Sequence, residues 1–430
     1  MKNNTHQNQK MDRRAFIGSA AAGVTLLNSR LVRGSRANSA LRMGILGCGG
    51  RGTAVGSGFV RNTNTRVLAL ADLFPDQLEK GKAHFDQLQK KKGYPASETS
   101  RMFLGPRAYQ EIAHSGEVDF ILITTPPYFH PHHLRTVVAA GKHVYCEKPV
   151  AVDVAGAAEV VEVGKLAEGK VSLDVGFQIR NAPPFVELTR RIQQGAVGEI
   201  ACVQAYYYSG ALKRPEWPAA SPQEARLRNW VWDRVLSGDI IVEQNIHVID
   251  VCNWVLQGHP LKASGSGGRK VADNTGNCYD HFNLTLTYET GIDVTFSSTQ
   301  FNKGWWDVCE RFFGSKGVSE AHYSQPVAIL GDEPWDYFKE LAAEQGKGSE
   351  FSAAGSFGGA LKNADPEKQK AFVESITSGH FHNQAAQGAE SALSAMLGRE
   401  AAYSGKTVGW DELLNSNARW EAGLDLEALS

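Results

Sequence analysis

The sequence has few cysteines, so it offers little to cross-link a small fold or to bind a metal ion. Its 430 residues include six cysteines, which are scattered without the paired spacing of zinc sites or disulfide-rich domains. Most of them lie in apolar runs, where cysteine behaves as a small buried side chain. No disulfide framework or metal site is therefore expected, and the chain is long enough for two hydrophobic cores.

An excess of charge and long hydrophobic runs are also missing. Lys and Arg number 45 against 46 for Asp and Glu, which gives a formal net charge of -1. That balance offers no electrostatic footprint for nucleic acid or for an anionic membrane surface. The apolar stretch from Ala20 to Leu27 is far shorter than the roughly 20 residues of a membrane-spanning helix, so no stable membrane span is predicted.

The first 39 residues have the pattern of a leader. Arg13 and Arg14 precede the short apolar stretch, and Ala37-Asn38-Ser39 offers small residues at which a peptidase could cut. This pattern resembles a twin-arginine export signal, and a disordered basic tail is the alternative. We therefore interpret residues 1–39 as a leader and expect an exported protein that is periplasmic or otherwise extracytoplasmic.

A glycine turn directly follows the apolar run from Met43 to Leu46. Its members are Gly47, Cys48, Gly49, Gly50, Arg51 and Gly52. The glycines permit a tight turn, a close approach of backbone N–H groups to a pyrophosphate, and close packing of a helix that opens near Arg51 and would hold the anion. Asp72 ends the next apolar run about 20 residues later, where an acid accepts hydrogen bonds from ribose hydroxyls and repels a 2′-phosphate. The pattern predicts binding of NAD in preference to NADP.

Apolar runs alternate with helix-like segments from Leu41 to about Gly176, an order typical of a doubly wound parallel sheet. The predicted strands are Arg42 to Leu46, Arg66 to Ala71, Met102 to Leu104, Val118 to Thr124, His143 to Cys146 and Val171 to Gly176. Later runs are rich in β-branched and aromatic residues, at Ile200 to Tyr208, Leu261 to Gly268, Tyr279 to Tyr288 and Asp293 to Phe301.

These patterns predict an α/β protein of two domains. Residues 40–165 would form a Rossmann dinucleotide-binding domain with a doubly wound parallel sheet. Residues 166–430 would form an α/β domain for substrate binding and oligomerisation, with an open, mostly antiparallel sheet. The segment from Ile240 to Leu256 reads as one buried helix, and the segment from Asp332 to Asp365 reads as a long surface loop.

Two motifs follow predicted strands of the first sheet. Glu147, Lys148 and Pro149 come after the fifth strand, and Thr125 and Pro126 come after the fourth; all of them except Pro149 are candidate cofactor-binding residues. Ligands of open parallel sheets lie beyond the carboxyl ends of the strands, so Lys148 would reach the cleft and stabilise a developing alkoxide. Thr125 and Pro126 would form a wall near the nicotinamide. A surface lysine before a turn proline is the alternative for Lys148.

Three histidines, His130, His132 and His133, are close in sequence but do not predict a metal site. No Asp, Glu or Cys follows them at ligand spacing, and adjacent histidines do not share a helix face. We interpret His130 as a residue on the cofactor side or as a helix cap.

The predicted helix from Ile240 to Leu256 carries Glu243, His247, Asp250 and Trp254 on one face. Burying such polar groups without partners costs about 2 to 7 kcal/mol each, which favours a site. His247 would be the general base, Glu243 would position the substrate, and Asp250 would orient the imidazole. A satisfied polar network between the domains is the alternative.

Together these motifs resemble those of the Gfo/Idh/MocA oxidoreductases, from Leu41 to the C-terminus. The residues that carry the resemblance are the glycine turn, Glu147-Lys148-Pro149, the segment from Gly176 to Arg180, and Glu243 with His247, Asp250 and Trp254. It implies hydride transfer between nicotinamide and a sugar or polyol carbon, with Lys148 and His247 as the catalytic pair, in a dimer or tetramer. Many members have Asp where this chain has the longer Glu243.

The candidate substrate-binding residues are Arg180, Tyr207, Trp230, Glu243 and Asp250. Trp230 belongs to a segment from Leu212 to Arg234 that also contains Trp217 and Trp232. Aromatic faces with polar neighbours suit the apolar face and the hydroxyl edges of a pyranose, and packing against a partner subunit is the alternative.

Export would leave the enzyme where free NAD is scarce, so the cofactor is expected to stay bound. A second substrate would then restore it, as in the exported glucose-fructose oxidoreductases that the chain resembles. In the alternative, the hydride returns to the same molecule, as in similar NAD-dependent glycosidases of the α-N-acetylgalactosaminidase type. A non-catalytic nucleotide sensor is disfavoured, because Lys148 and His247 are both present.

Overall fold

The computed structural model describes residues 39–96, 101–271, 276–289, 291–345 and 359–429. The predicted leader lies outside the described residues except for Ser39. Across these described ranges, every helix is too short or too polar to span a bilayer.

The first sheet has six parallel strands in the order β3-β2-β1-β4-β5-β6. Its strands are β1 (Leu41–Leu46), β2 (Thr65–Asp72), β3 (Met102–Leu104), β4 (Phe120–Ile123), β5 (His143–Cys146) and β6 (Leu173–Val175). The connecting helices are α1 (Gly50–Asn62), α2 (Pro75–Lys92), α3 (Ala108–His114), α4 (His130–Ala139) and α5 (Val154–Ala167). The prediction of a doubly wound parallel sheet is confirmed.

The topology of this sheet determines where a ligand can bind. Strand β1 pairs with β2 on one side and with β4 on the other, so the strand order reverses at β1. A crevice therefore opens beyond the carboxyl ends of β1 and β4, where open parallel sheets bind ligands. The last strand, β6, lies beyond residue 165, so the first sheet extends past the boundary that the sequence analysis drew there.

The second sheet has nine strands in the order β14-β13-β12-β11-β7-β10-β9-β8-β15. Its strands are β7 (Ile200–Gly210), β8 (Pro260–Gly268), β9 (His281–Tyr288), β10 (Asp293–Asn302), β11 (Asp307–Gly314), β12 (Gly317–His322), β13 (Val327–Gly331), β14 (Trp335–Asp336) and β15 (Val408–Gly409). Only the pairing of β7 with β10 is parallel among the described strands of this sheet. The predicted open, mostly antiparallel sheet is confirmed.

The helices that follow β6 in the chain are α6 (Pro183–Gln193), α7 (Pro222–Arg228), α8 (Arg234–Ser237), α9 (Ile240–Glu243), α10 (Ile246–Leu256), α11 (Tyr337–Gln345), α12 (Ala364–Ser378), α13 (Ala385–Ser404) and α14 (Trp410–Asn415). Of these, α6, α10 and α13 pack against strands of the second sheet. Strand β9 shows why helices pack on this sheet: Phe282, Leu284 and Leu286 are buried, while the residues between them are more exposed. This period of two gives the sheet one apolar face, which α13 covers.

Three predictions about the second domain need correction. The single helix from Ile240 to Leu256 is two helices, α9 and α10, separated at Gln244 and Asn245. The predicted loop from Asp332 to Asp365 contains β14, α11 and the start of α12, while residues 346–358 lie outside the described residues. Strands β11 to β13 were not predicted, and in β11 the charged residues Glu310 and Arg311 interrupt the apolar pattern.

Candidate functional site

The glycine turn joins β1 to α1 at the crevice. Gly47 has a φ of 95°, and a Cβ there would lie 2.9 Å from the carbonyl of Thr124. A Cβ on Gly52 would lie 2.0 Å from the carbonyl oxygen of Gly47, so the fold requires glycine at both positions. Beyond Gly49 and Gly50 there is open space, and no side chain caps the first turn of α1. The backbone N–H groups at the start of α1 fit the pyrophosphate of a dinucleotide.

Asp72, at the end of β2, lines the same cleft as Gly49 and Gly50. Its Oδ2 accepts a hydrogen bond from the backbone N–H of Cys48 at 2.6 Å, and its Oδ1 accepts one from the N–H of Phe74 at 2.9 Å. Burial raises the pKa of Asp72, and the two N–H donors oppose that rise. The carboxylate is thus fixed beside the glycine turn, where it fits the adenosine ribose.

We expect Asp72→Asn to shift the cofactor preference toward NADP by roughly tenfold or more, because the amide lacks the charge that repels a 2′-phosphate. Titration of nucleotide-stripped protein with NAD and NADP measures the ratio of the two dissociation constants. Asp86→Asn, on the surface of α2, is the matched control and should leave that ratio unchanged. An unchanged ratio in Asp72→Asn would mean that another residue selects the cofactor.

Thr125 and Pro126 also line the cleft, whereas His130 contacts the backbone behind it. The ring of His130 is buried, with Nδ1 2.7 Å from the carbonyl oxygen of Pro149 and Nε2 2.7 Å from that of Thr125. Burial lowers the pKa of His130, against the pull of the two carbonyls. The histidine therefore ties the ends of β4 and β5 together. Among the described residues, no cluster of His, Cys, Asp and Glu is arranged to hold a metal ion.

Lys148, after β5, meets Glu243 at the end of α9. Its Nζ donates to Oε1 of Glu243 at 3.1 Å and also to the carbonyl oxygen of Glu243. Both side chains are largely shielded from solvent, with exposed fractions of 10% and 16%. The contact joins the nucleotide-binding sheet to the second domain, so Lys148 and Glu243, two of the three predicted catalytic residues, meet in space.

His247, the third, lies one turn further on, in α10. Burial lowers the pKa of His247 well below 6.5, and the nearby positive charges of Lys148 and Arg51 lower it further. The ring of Phe177 packs edge-on against the imidazole, with 6.2 Å between ring centroids. The imidazole is therefore neutral near pH 7 and able to accept a proton.

Glu147 and Arg51 pair with each other at the back of the glycine turn. Nη2 of Arg51 lies 3.0 Å from Oε1 of Glu147 and 3.8 Å from Oδ1 of Asp365, at the start of α12. Glu147 is buried, and a Cβ on Gly176 would lie 2.9 Å from its carboxyl carbon. These contacts give Glu147 a structural partner, while its predicted contact with the cofactor stays a prediction.

Asp250 has partners in the structure that the sequence did not predict, and its role in orienting the imidazole of His247 stays a prediction. Its carboxylate accepts two hydrogen bonds from Arg180, at 2.9 and 3.0 Å, and a third from Ser391 at 2.7 Å. Helical spacing correctly put Asp250 near one face of α10, but the group that meets it comes from the segment after β6. Arg180 and Asp250, both predicted to bind substrate, thus neutralise each other.

The remaining predicted substrate residues lie in two places. Tyr207 is buried on β7, where burial and the charge of Glu243 raise its pKa, so it lies close to the Lys148–Glu243 contact. Trp230 and Trp217 line the nucleotide cleft of their own chain. The predicted contacts of these tryptophans with a sugar or with a partner subunit stay predictions.

Two buried amides near His247 were missed by the sequence analysis. Neither amide atom of Gln178 or Asn245 has a hydrogen-bond partner among the described residues. Buried amides normally have partners, so both side chains are candidates for contacts with a ligand. Gln178 follows Phe177 in the recognised motif from Gly176 to Arg180, and Asn245 lies two residues before His247. A polar residue within these apolar segments was the available signal.

Comparisons with known proteins agree with this geometry. Residues 41–175 match a model described as the oxidoreductase family, NAD-binding Rossmann fold, and residues 185–320 match the GFO/IDH/MocA C-terminal domain. The inositol 2-dehydrogenase of Rhizobium meliloti (strain 1021) is 25% identical over 293 residues, which are 67% of this chain and 78% of that protein.

Solved structures share the fold. An aldose-aldose oxidoreductase from Caulobacter crescentus aligns with a TM-score of 0.65 and 19% identity, over 86% of this chain and 99% of that one. A scyllo-inositol dehydrogenase from Lactobacillus casei, solved with bound NAD(H) and scyllo-inositol, aligns with a TM-score of 0.63 and 17% identity over the same shares. Since both domains match in chain order and the glycine turn fits a dinucleotide, this chain belongs to the GFO/IDH/MocA family of oxidoreductases and binds NAD.

Proposed function

We propose that the protein oxidises a hydroxyl group of a sugar, polyol or glycoside by hydride transfer to an NAD molecule that stays bound between turnovers. Lys148 and His247 act as the catalytic pair. The observation that carries this proposal is the meeting of the Lys148 ammonium, the Glu243 carboxylate and a neutral His247 beyond the carboxyl ends of the parallel strands. A cation and a base side by side are what removal of a hydroxyl proton requires.

Bound NAD would supply the hydride acceptor. Lys148, held by Glu243, would donate a hydrogen bond to the reacting hydroxyl oxygen and stabilise its developing negative charge. The hydrogen of the reacting C–H bond would leave as hydride with both bonding electrons, and neutral His247 would take the hydroxyl proton, so that a carbonyl group forms and charge and atoms balance. Glu243 would accept a hydrogen bond from a neighbouring hydroxyl, which favours a substrate with adjacent hydroxyls.

Relatives support a carbohydrate substrate. The curated relative from Rhizobium meliloti is an inositol 2-dehydrogenase, and one aligned structure holds scyllo-inositol beside NAD(H). Another is an aldose-aldose oxidoreductase. Ring-shaped polyols and aldoses are therefore the first compounds to test.

The test is a panel of inositols, aldoses and aryl glycosides offered to the purified full chain, with reduced nicotinamide followed by its absorbance and sugar products by mass spectrometry. Reduction of bound NAD by a member of the panel, or exchange of hydride between two sugars, supports the proposal. Release of an aglycone without net reduction would instead support the redox-neutral glycosidase. Silence across the panel counts against both reactions.

The depressed pKa of His247 predicts the shape of the pH profile. A base is active when it is deprotonated, so kcat/KM for the sugar should stay high as the pH falls and drop only below 6.5. We expect His247→Asn to lose about two to four orders of magnitude in kcat/KM and to lose this acidic limb. The control His114→Asn, at the exposed end of α3, should keep both. An acidic limb above pH 6.5 in the unaltered protein would contradict the assignment.

We also propose that the protein is exported and forms a homo-oligomer of two or four subunits. Export is supported by Arg13 and Arg14 before a short apolar stretch. Assembly is supported by large apolar side chains that are exposed in the second domain, namely Trp305, Trp306 and Leu330. Cell fractionation and light scattering of the purified protein test these two statements separately.

A further inference from the structure

The cleft that holds the glycine turn is also lined by residues from outside the nucleotide-binding sheet. Asp72 and Phe74 lie on one side. The other side is formed by two segments, which we call the cover segment (residues 217–230) and the tail (residues 418–429). Their lining residues are Trp217, Leu227, Arg228, Trp230 and Leu426.

Arg228 connects the cover segment to the loop after β2. Its guanidinium carbon lies 3.9 Å from the ring centroid of Phe74 and 4.7 Å from that of Trp217. It also forms ion pairs with Asp76 and Glu224, each at 2.8 Å. Only 10% of the side chain is exposed. Phe74 follows Asp72 by two residues, so Arg228 lines the cleft next to the predicted ribose contact.

The tail packs against the cover segment and the loop after β2. Ala422 joins Phe74, Leu227 and Leu236 in a small apolar cluster, against which Leu424 and Leu426 also pack. The carbonyl oxygen of Ala422 accepts a hydrogen bond from Arg226. The backbone N–H of Ala422 donates to the hydroxyl of Tyr128 at 3.3 Å, and the backbone N–H of Asp425 donates to Oε1 of Gln223 at 2.8 Å. The tail therefore fastens the cover segment to the nucleotide-binding domain.

We propose that the cover segment and the tail complete the adenosine end of the NAD site and slow the release of NAD, with Arg228 and Trp217 as positioning residues. The inference rests on the retained cofactor of the proposed function and assigns the retention to named residues. Asp76 and Glu224 neutralise Arg228, so this arginine does not serve as a receptor for a 2′-phosphate. It holds Phe74 and Trp217 in place, and NAD leaves only when those stacked contacts open.

The experiment measures the dissociation of cofactor and needs no substrate. The full chain is loaded with NADH and mixed with excess NAD, and the decay of the bound NADH fluorescence gives the dissociation rate. Arg228→Ala and Trp217→Leu should each release NADH roughly tenfold or more faster, the range that lost cation–π contacts allow. Trp217→Phe, which keeps a ring under Arg228, should restore slow release. Arg190→Ala, exposed on α6 and paired with Glu187, is the control.

Each outcome decides the proposal. Faster release in Arg228→Ala and Trp217→Leu, slow release in Trp217→Phe and unchanged release in Arg190→Ala support it. Equal rates in the unaltered protein and in the folded Trp217→Leu variant overturn it, even where Arg228→Ala fails to fold, because Trp217 lies in a partly exposed loop. Failure of the sugar reaction would leave these rates untouched, so the two proposals fail separately.

Discussion

Lys148→Met is expected to lower kcat/KM for an oxidisable sugar by about three orders of magnitude or more, because it removes the ammonium that would stabilise the developing alkoxide. Methionine keeps the length of the side chain but cannot donate a hydrogen bond. NAD should still bind, since Lys148 is not among the residues that line the cleft with the glycine turn and Asp72. The readouts are the steady-state rate with the best sugar of the panel and the amount of nucleotide released on denaturation.

Two variants sharpen this prediction. Lys148→Arg keeps a positive charge but has a planar head that cannot keep the geometry of the contact with Glu243, so we expect partial activity at most. Lys165→Met, exposed on α5, should match the unaltered enzyme. A Lys148→Met variant that still turned over within about tenfold of the unaltered rate would remove Lys148 from the reaction.

The first domain was predictable because its information is local. An apolar run, a glycine turn and an acid about 20 residues later define one strand–helix–strand unit, and each step can be read from neighbouring residues. The cleft-lining positions of Gly49, Gly50 and Asp72 follow from that unit alone. The second sheet was predicted only in part, and β11 shows one reason, since it carries the charged Glu310 at a position that tertiary packing buries.

The site was predictable to the extent that its motifs follow strand ends. Lys148 follows the end of β5 as predicted, whereas its contact with Glu243 and the pairing of Arg180 with Asp250 could not be read from spacing. Helical periodicity tells which residues share a face, but it does not tell which distant segment that face meets. The role of Trp217 was likewise ambiguous, because an aromatic side chain suits a sugar, a subunit contact and a cofactor cover equally well.

Helical periodicity also did not predict a buried ion cluster that joins α12 and the segment after it to the first sheet. Lys368 on α12 donates to Asp174 on β6 at 2.9 Å, and His382 contacts the other carboxylate oxygen at 2.9 Å. Lys368 and Asp174 are 2% and 1% exposed. Burial alone would raise the pKa of Asp174, but Lys368 and His382 outweigh it and the pKa is lowered. Helix α12 also packs on α1, so the nucleotide-binding domain depends on a helix near the end of the chain.

Lys368→Met is therefore expected to destabilise the protein by about 3 to 5 kcal/mol, because it leaves the charge of Asp174 buried with His382 as its remaining partner. Urea unfolding followed by fluorescence measures the change in midpoint and in the free energy of unfolding. Lys370→Met, on the exposed face of the same helix, should cost less than about 1 kcal/mol, since its pair with Glu367 is solvated.

The double variant Lys368→Met with Asp174→Asn separates a lost attraction from a stranded charge. Neutralising the carboxylate removes the uncompensated buried charge, so the double variant should be more stable than Lys368→Met alone. If the double variant is instead less stable, by the full sum of two independent losses, the cost lies in packing and not in the buried charge. If the buried charge is the cause, loosening of α12 would also separate Asp365 from Arg51. NAD should then bind more weakly at the glycine turn, although none of these substitutions touches that turn.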